Sequence, residues 1–443
     1  MFAFLECPLF SKYRGAHGNL RLWRACKTLP FPGMPAQFSL RQEAPALWVR
    51  ECVHNVCLTL VIFYRKGGDL LKMDFFKQLF GFGGKGAVGG LDMGSSSLKM
   101  LQLRPKKDKT YEMSSLLIGY APDQTVKDGI IVDPRALGDY IKQLVLGNKL
   151  NVQDIVGVAS GKSVVLRPIT MPKMPEKEVQ SAVRFEADRY LPYKADEAMV
   201  RGTILQKELP DEPNQMEVLL VAAPNEIVKN TQDVIKFSGL KPVAIDMEPF
   251  ALLRALSVSL EPDVLQGTVA LVNMGASSTS INIYKSGVLR QSRTVTVAGK
   301  RFTDVIAQSL NISFDEAEKM KKEKGVIRVE KDAAPVAPST LRIFNVIVPV
   351  LVELITEIQR SFDFYKSRYH SETIDYIALS GGTASFRNID SYISNELGVP
   401  CGVLNPFKNV DISKVPGYTP EMLQELAPSL TVSVGLALRN ILG

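Results

Sequence analysis

Two short segments of this 443-residue chain hold the residue types that grip phosphate. Leu91-Asp92-Met93-Gly94-Ser95-Ser96-Ser97 and Val272-Asn273-Met274-Gly275-Ala276-Ser277-Ser278 resemble each other, with Gly94 and Gly275 181 positions apart. A tight turn built of Gly and Ser lets backbone N–H groups and hydroxyls surround phosphate oxygens, because Gly has no Cβ and Ser is a small donor. Two such turns facing one another grip a triphosphate from both sides. Asp92 stands where a carboxylate holds Mg²⁺ through water, and Lys99 supplies a point charge to the phosphates. One copy alone would read as an ordinary Ser-rich β-turn. Two matching copies, with Gly381-Gly382-Thr383 after an apolar run, point to nucleotide binding.

Two tempting matches carry no such chemistry. Gly81 to Gly86 fits G-x-G-x-x-G, but it precedes a strand instead of following one and opening a helix, so it reads as a flexible hinge. Gly157 to Ser163 nearly matches a P-loop, yet Val156 occupies the required glycine position and the segment reads as a strand turn.

The elements that must position the two turns follow from hydrophobic periodicity. Each motif is led by an apolar run that reads as a buried strand, and each is followed by a second strand. In the second copy Ile281 and Ile283 alternate with Ser280 and Asn282. The repeat implies an internally duplicated α/β protein with a cleft between its halves. The first half carries Pro168, Pro172 and Pro175, then a helix over Glu176 to Asp188 with Val179, Val183 and Phe185 on or near one apolar face, then a strand at Val218 to Ala223. A helix is expected from Asp246 to Leu256. Ser313 with Glu316 forms a capping-box pair that starts a helix over Phe314 to Lys324, ended by Gly325. Ala333 to Pro338 reads as a turn or loose loop. Ile347, Leu351, Leu354, Ile355, Ile358, Phe362 and Tyr365 mark a long buried helix. A strand over Ile374 to Leu379 and a last helix over Thr431 to Leu442 complete the reading.

At 46% hydrophobic and 22% charged, the composition is that of a soluble globular protein of two or more cores. The longest apolar stretch, Cys57 to Tyr64, is too short for a membrane span, which needs about 20 residues. The net charge of +7 lies almost wholly in residues 1–72, which hold ten Lys/Arg and four Asp/Glu, so the remainder is nearly neutral and nucleic acid is not an expected partner. That basic leader also holds Cys7, Cys26, Cys52 and Cys57, none in Cys-x-x-Cys spacing. Residues 1–72 read as an upstream mis-start or a disordered tail, since Met73-Asp-Phe-Phe-Lys-Gln-Leu-Phe80 is itself a natural protein start. Cys401 stands alone after that point, which fits a reducing, cytoplasmic compartment.

The chain resembles the actin-like ATPase superfamily and, within it, the PilM family of FtsA-like proteins of type IV pilus assembly. The resemblance rests on Gly90 to Lys99, Met171 to Glu178, Ala244 to Ala251, Met274 to Thr279, Glu316 to Lys321, Leu379 to Ala384 and Gly435 to Arg439, and covers about Met73 to Gly443. It implies an α/β, actin-like ATPase fold: two duplicated RNase H-like domains, 73–267 and 268–443, around a nucleotide cleft, with inserted subdomains at about 166–224 and 300–345. It implies ATP and Mg²⁺ as cofactors. The site would comprise Asp92, Gly94, Ser95, Ser96, Ser97 and Lys99 at the first phosphate loop, and Asn273, Gly275, Ala276, Ser277, Ser278 and Thr279 at the second. Gly299 would flank the nucleotide, Gly381, Gly382 and Thr383 would form the adenosine loop, and Glu318 with Lys321 would reach the nucleoside from one helix face. Read without the resemblance, that pair is a solvated helix face.

The sequence departs from the family pattern at Asn273, where Asp is usual, and at Ala298-Gly299, where Gly-Gly is usual. An amide neither acts as a base nor gives full charge to a metal-bound water, so tight ATP binding with at most slow hydrolysis is expected. The resemblance implies an adaptor that binds the cytoplasmic N-terminal peptide of PilN beside the inserted subdomain. It would thereby link the PilN/PilO inner-membrane platform to the pilus motor ATPases, peripheral to the inner membrane, and self-association stays open. Two alternatives stay open at this point: an FtsA-like filament-forming division protein, which would normally end in an amphipathic tail, and a small-molecule kinase of the same superfold. The Phe75 to Phe82 segment either packs on the first domain or lies on a membrane surface.

Overall fold

Alternation of buried residues along short β-branched and aliphatic runs builds three sheets of three or more strands among the described residues, beside two two-stranded pairs. The computed structural model describes residues 46–53, 56–63 and 87–442, except 109, 123, 128, 329–336, 370 and 371. The expected features at 73–86, including the Gly81 to Gly86 glycines and the Phe75 to Phe82 segment, lie outside the described residues, as does most of the Ala333 to Pro338 loop. The chain divides into two units, Met1–Met73 and Asp74–Gly443. In the first, strands Ala46–Val53 and Val56–Phe63 pair antiparallel.

In the second unit, β1 (Gly89–Met93), β2 (Ser97–Pro105) and β3 (Tyr111–Tyr120) form an antiparallel meander. Helix α1 (Pro134–Gly147) leads to β4 (Asp154–Ala159), which pairs parallel with β1. The inserted segment follows, with β5 (Val165–Pro172), α2 (Glu176–Glu186), β6 (Ala198–Gln206) and β7 (Gln215–Pro224). Then come α3 (Asn225–Phe237), β8 (Lys241–Met247), parallel to β4, and α4 (Glu248–Ser259). The second half repeats the plan. Strands β9 (Thr268–Met274), β10 (Thr279–Lys285) and β11 (Val288–Val295) form a meander, followed by α5 (Gly299–Leu310), α6 (Phe314–Lys324) and α7 (Pro338–Arg368). Strand β12 (Tyr376–Ser380), parallel to β9, α8 (Ile389–Leu397) and β13 (Cys401–Val403), parallel to β12, complete it. The orders β8-β4-β1-β2-β3 and β13-β12-β9-β10-β11 are the same path drawn twice.

Several sequence expectations meet their outcome here. The capping box at Ser313 and Glu316 forms in both directions, and its helix runs from Phe314 to Lys324. The expected strand at Ile374 to Leu379 begins two residues later, at Tyr376. Asp246 and Met247 belong to β8, and the helix expected from Asp246 starts at Glu248. The last helix breaks into Thr431–Ala437 and Arg439–Leu442. Phe185 is 80% exposed while Val179 and Val183 are buried, because two residues past Val183 a helix has turned to its opposite side. The C-terminal stretch placed with 268–443 returns to the first half: β14 (Val410–Asp411) pairs parallel with β3, and Phe407, Leu423, Leu430 and Leu438 pack with Leu101 and Met113.

The inserted strands form their own sheet in the order β6-β7-β5, with a separate core of Ile169, Val179, Val183, Val218 and Leu220. Between the two large sheets lie α4 and α9 (Thr431–Ala437), the second buried along its whole length. They cross at contact distance. A Cβ added at Gly435 would lie 1.8 Å from the Ala251 carbonyl oxygen, and one at Gly90 would lie 2.3 Å from that of Ser433. Beside this crossing, Asp246 pairs with Arg254 and, at 3.3 Å, with Arg439, and Arg254 Nε donates to the Gly435 carbonyl at 2.8 Å.

Gly435→Ala should therefore force backbone apart and lower unfolding stability by about 3 kcal/mol or more. Denaturant titration checks this, and a loss below about 1 kcal/mol would show that the crossing tolerates separation.

Candidate functional site

The chain reverses after β1 and after β9 in the same way, because each strand ends on a methionine followed by a glycine and small residues rich in serine. The Gly94 N–H donates to the Ser97 carbonyl at 3.1 Å and the Gly275 N–H to the Ser278 carbonyl at 3.0 Å, so both turns close with one hydrogen bond between equivalent residues. In the first turn, Lys99 Nζ lies 3.5 Å from Asp92 Oδ2, both side chains being mostly buried. Ser95 Oγ accepts from the Gly129 N–H at 3.0 Å, and the carbonyl of the exposed Ser96 accepts from the Ala121 N–H at 3.2 Å. These contacts hold the turn against the short hairpin at 126–131.

The second turn is held from the opposite side. The Gly299 N–H donates to the Gly275 carbonyl at 2.9 Å and the Lys300 N–H to the Ala276 carbonyl at 2.8 Å, so the start of α5 carries the turn. Thr383 Oγ1 donates to the Gly275 carbonyl at 3.2 Å. Gly381 has φ +88°, and a Cβ there would sit 2.3 Å from the Met274 carbonyl oxygen, so only glycine lets the segment after β12 lie against this turn. A Cβ added at Gly382 meets nothing within 4 Å, leaving the backbone open there. Thr279 is turned away: its hydroxyl is buried and donates to the Val297 carbonyl at 2.6 Å.

Glu318 and Lys321 sit one helical turn apart on α6, as their spacing requires, and both face α5. Lys321 Nζ donates to Glu318 Oε2 at 2.6 Å, to Thr303 Oγ1 at 2.8 Å and to the Gly299 carbonyl at 3.1 Å. Thr303 Oγ1 is 2.5 Å from Glu318 Oε2. Burial pushes the Lys321 ammonium down, partly offset by Glu318. Burial acts to raise Glu318, but the hydrogen bonds from Lys321 and Thr303 prevail and hold it below the usual carboxylate range. The pair is thus a packed ionic bracket beside the second turn, not a solvated face.

Glu248 is the residue that the sequence reading overlooked. At the first position of α4, its Oε1 accepts from Asn273 Nδ2 at 2.9 Å and from Ser280 Oγ at 2.5 Å. Asn273 Oδ1 in turn accepts from Ser380 Oγ at 3.1 Å. Desolvation raises the Glu248 carboxyl, the two donors lower it, and the Asp92 charge raises it further. Its hydrogen bonds tie Glu248 to Asn273, at the head of the second turn. The signal in the sequence is an acidic residue opening an otherwise apolar, Pro-started helix. The polar face of β10, expected from Ser280 and Asn282, is buried: Asn282 Nδ2 donates to Ser280 Oγ at 3.3 Å, and Ser292 Oγ donates to Asn282 Oδ1 at 2.8 Å.

Ser277 Oγ is buried with no hydrogen-bond partner among the described residues. A buried hydroxyl without a partner costs about 1–3 kcal/mol, so this atom suits an external acceptor such as a phosphate oxygen. Among the described residues no group of three or more His, Cys, Asp or Glu side chains is placed to hold a metal ion. One or two carboxylates with water and phosphate oxygens suit Mg²⁺, which keeps most of its waters. No helix among the described residues is long and apolar enough to cross a membrane.

The family model described as "Type IV pilus assembly protein PilM" matches residues 90–441. A solved PilM-PilN type IV pilus biogenesis complex contains a chain 31% identical, with TM-score 0.68, covering 81% of this chain and 99% of that one. The cell division protein FtsA of Pseudomonas aeruginosa is 25% identical over 391 residues, 78% of this chain and 92% of that protein. FtsA of Bacillus subtilis is 24% identical over 266 residues, and this match spans 53% of the chain and 57% of that protein. The protein has the actin-like fold.

Ser277→Ala should leave the ligand-free protein as stable as wild type or up to about 1 kcal/mol more stable, since it removes an unpartnered polar atom. Thermal unfolding without nucleotide checks this, and a clear loss of stability would show that the hydroxyl already has a partner.

Proposed function

The chain belongs to the type IV pilus assembly protein PilM family, and from that membership and the geometry of the cleft we propose an ATP-binding adaptor that holds Mg–ATP between its two turns. The observation that carries this reading is the pairing of two equivalently closed Gly-Ser turns, the second led by Asn273 and hydrogen-bonded through it to Glu248, the first led by the Asp92–Lys99 pair. Gly94 to Ser97 and Gly275 to Ser278 would receive the phosphates, with the Ser277 hydroxyl donating to one of their oxygens. Asp92 would hold Mg²⁺ through water and Lys99 would balance charge. The Glu318–Lys321 bracket and Gly381 to Thr383 would bound the nucleoside. When bound, the cation neutralises charge on the β- and γ-phosphates.

Turnover is slow on this reading. Asn273 brings no charge, and Glu248, the carboxylate it is hydrogen-bonded to, has Oε1 occupied by two donors. Binding with little hydrolysis suits a protein whose output is a conformation.

The partner we propose is the cytoplasmic N-terminal segment of PilN, received beside the inserted subdomain at 165–224. Similarity to a chain solved as part of a PilM-PilN complex supports this. Nucleotide-dependent change in the angle between the halves would alter affinity for that segment and, through the PilN/PilO platform at the inner membrane, for the motor ATPases.

Calorimetry with Mg–ATP should show uptake by the wild type and at least about a tenfold weaker affinity for Asp92→Ala, equivalent to about 1.4 kcal/mol. Unchanged affinity would remove Asp92 from the site. A PilN N-terminal peptide should bind with different affinity in the presence and absence of Mg–ATP, and equal affinities would remove nucleotide control while leaving the adaptor reading intact.

A further inference from the structure

The inserted sheet is rooted in the first half, since β5 follows β4 and β7 leads into α3. Its other side touches the second half. Glu217 on β7 pairs with Arg290 on β11, Oε2 to Nη1 at 2.5 Å, with side-chain exposures of only 9% and 22%. Arg368, at the end of α7, donates from Nη2 to the Pro168 carbonyl of β5 at 2.6 Å. Tyr369 completes the junction. Its hydroxyl donates to the Arg290 carbonyl at 3.3 Å, and the guanidinium carbons of Arg290 and Arg368 lie 5.8 and 5.7 Å from its ring centre. Burial first, and the Glu217 charge second, push this phenol up to about 12, so it stays a neutral donor.

The second-half side of the junction is tied rigidly to the phosphate site. Gln291 Nε2 donates to the Ser361 carbonyl at 2.9 Å, and Arg293 donates to Glu357 Oε2 at 2.6 Å and Ser361 Oγ at 3.2 Å, which staples β11 to α7. Ile347, Leu351 and Leu354 of α7 share a core with Phe302 and Ile306 of α5, whose first N–H holds the Gly275 carbonyl. We propose that Glu217, Arg290, Arg368 and Tyr369 form a latch that couples the position of the inserted subdomain to the opening of the cleft. A rotation of one half against the other moves the inserted sheet past β11 and must break or slide this junction. The coupling is reciprocal, so a partner bound to the subdomain shifts nucleotide release, and nucleotide shifts the subdomain.

A double-mutant cycle on the full chain tests this, using Glu217→Gln, Arg290→Gln and the pair together. Two quantities are read: release of a fluorescent Mg–ATP analogue, and amide exchange at the turns 94–97 and 275–279, which the latch residues do not touch. Each single variant should release nucleotide about threefold faster, corresponding to about 0.7 kcal/mol, as suits a half-buried ion pair. The pair should be no faster than either single variant. Exchange at both turns should rise in step. Unchanged release and unchanged turn exchange in the single variants would overturn the latch, as would strictly additive effects. The nucleotide arm rests on the proposed ATP cleft; if the wild type takes up no nucleotide, that reading fails while turn exchange alone still decides the latch.

Discussion

Everything in the two-fold plan depends on how closely α4 and α9 cross between the sheets. A helix pair separated by ordinary side chains would hold its neighbours several ångströms further apart. At Gly435 and Gly90 backbone meets backbone with no room for a methyl group, and the Asp246 carboxylate, buried with Arg254 and Arg439, fixes charge beside the crossing. Helix α4 leaves the first half on its way to the second, and α9 brings the end of the chain back. The crossing of α4 and α9 therefore forms a closely packed axis between the sheets.

The position of Glu248 follows from that axis. As the first residue of α4 it is rooted at the seam, while its hydrogen bonds come from Asn273 and Ser280 in the second half and its electrostatic neighbour is Asp92 in the first. Asn273 relieves a conflict here. A carboxylate in its place would face Glu248 at hydrogen-bond distance and force one of the two to take up a proton. The amide instead donates to Glu248 and accepts from Ser380, so the polar face of β10, which the sequence alternation suggests is wet, becomes a satisfied buried network. The cost is a cleft carboxylate with one oxygen already engaged.

Local chemistry was legible wherever it depends on neighbours in sequence. The duplicated turns, the capping box at Ser313 and the helical spacing from Ile347 to Tyr365 all involve residues a few positions apart, where torsion preferences and short-range hydrogen bonds decide. Phe185 was misplaced on a helix whose apolar face is only two valines wide, a pattern too narrow to fix its angular limits. The pair Glu318 and Lys321 has the spacing of a solvated salt bridge, and nothing in that spacing reveals that Thr303 and the Gly299 carbonyl will cover it.

By itself the sequence determined that this chain is a duplicated α/β protein whose halves each open on a strand, a glycine-serine turn and a second strand. That much is written in periodicities of two and 3.6 and in the conformational freedom of glycine. Tertiary structure alone decided that the last forty or so residues return to the first half, that Glu248 bonds Asn273 and Ser280, and that Glu217 meets Arg290 across the junction. These are contacts between residues roughly 25 to 300 positions apart. They arise from how sheets and helices exclude water together, and the pattern within any one element does not encode which distant element will cover it.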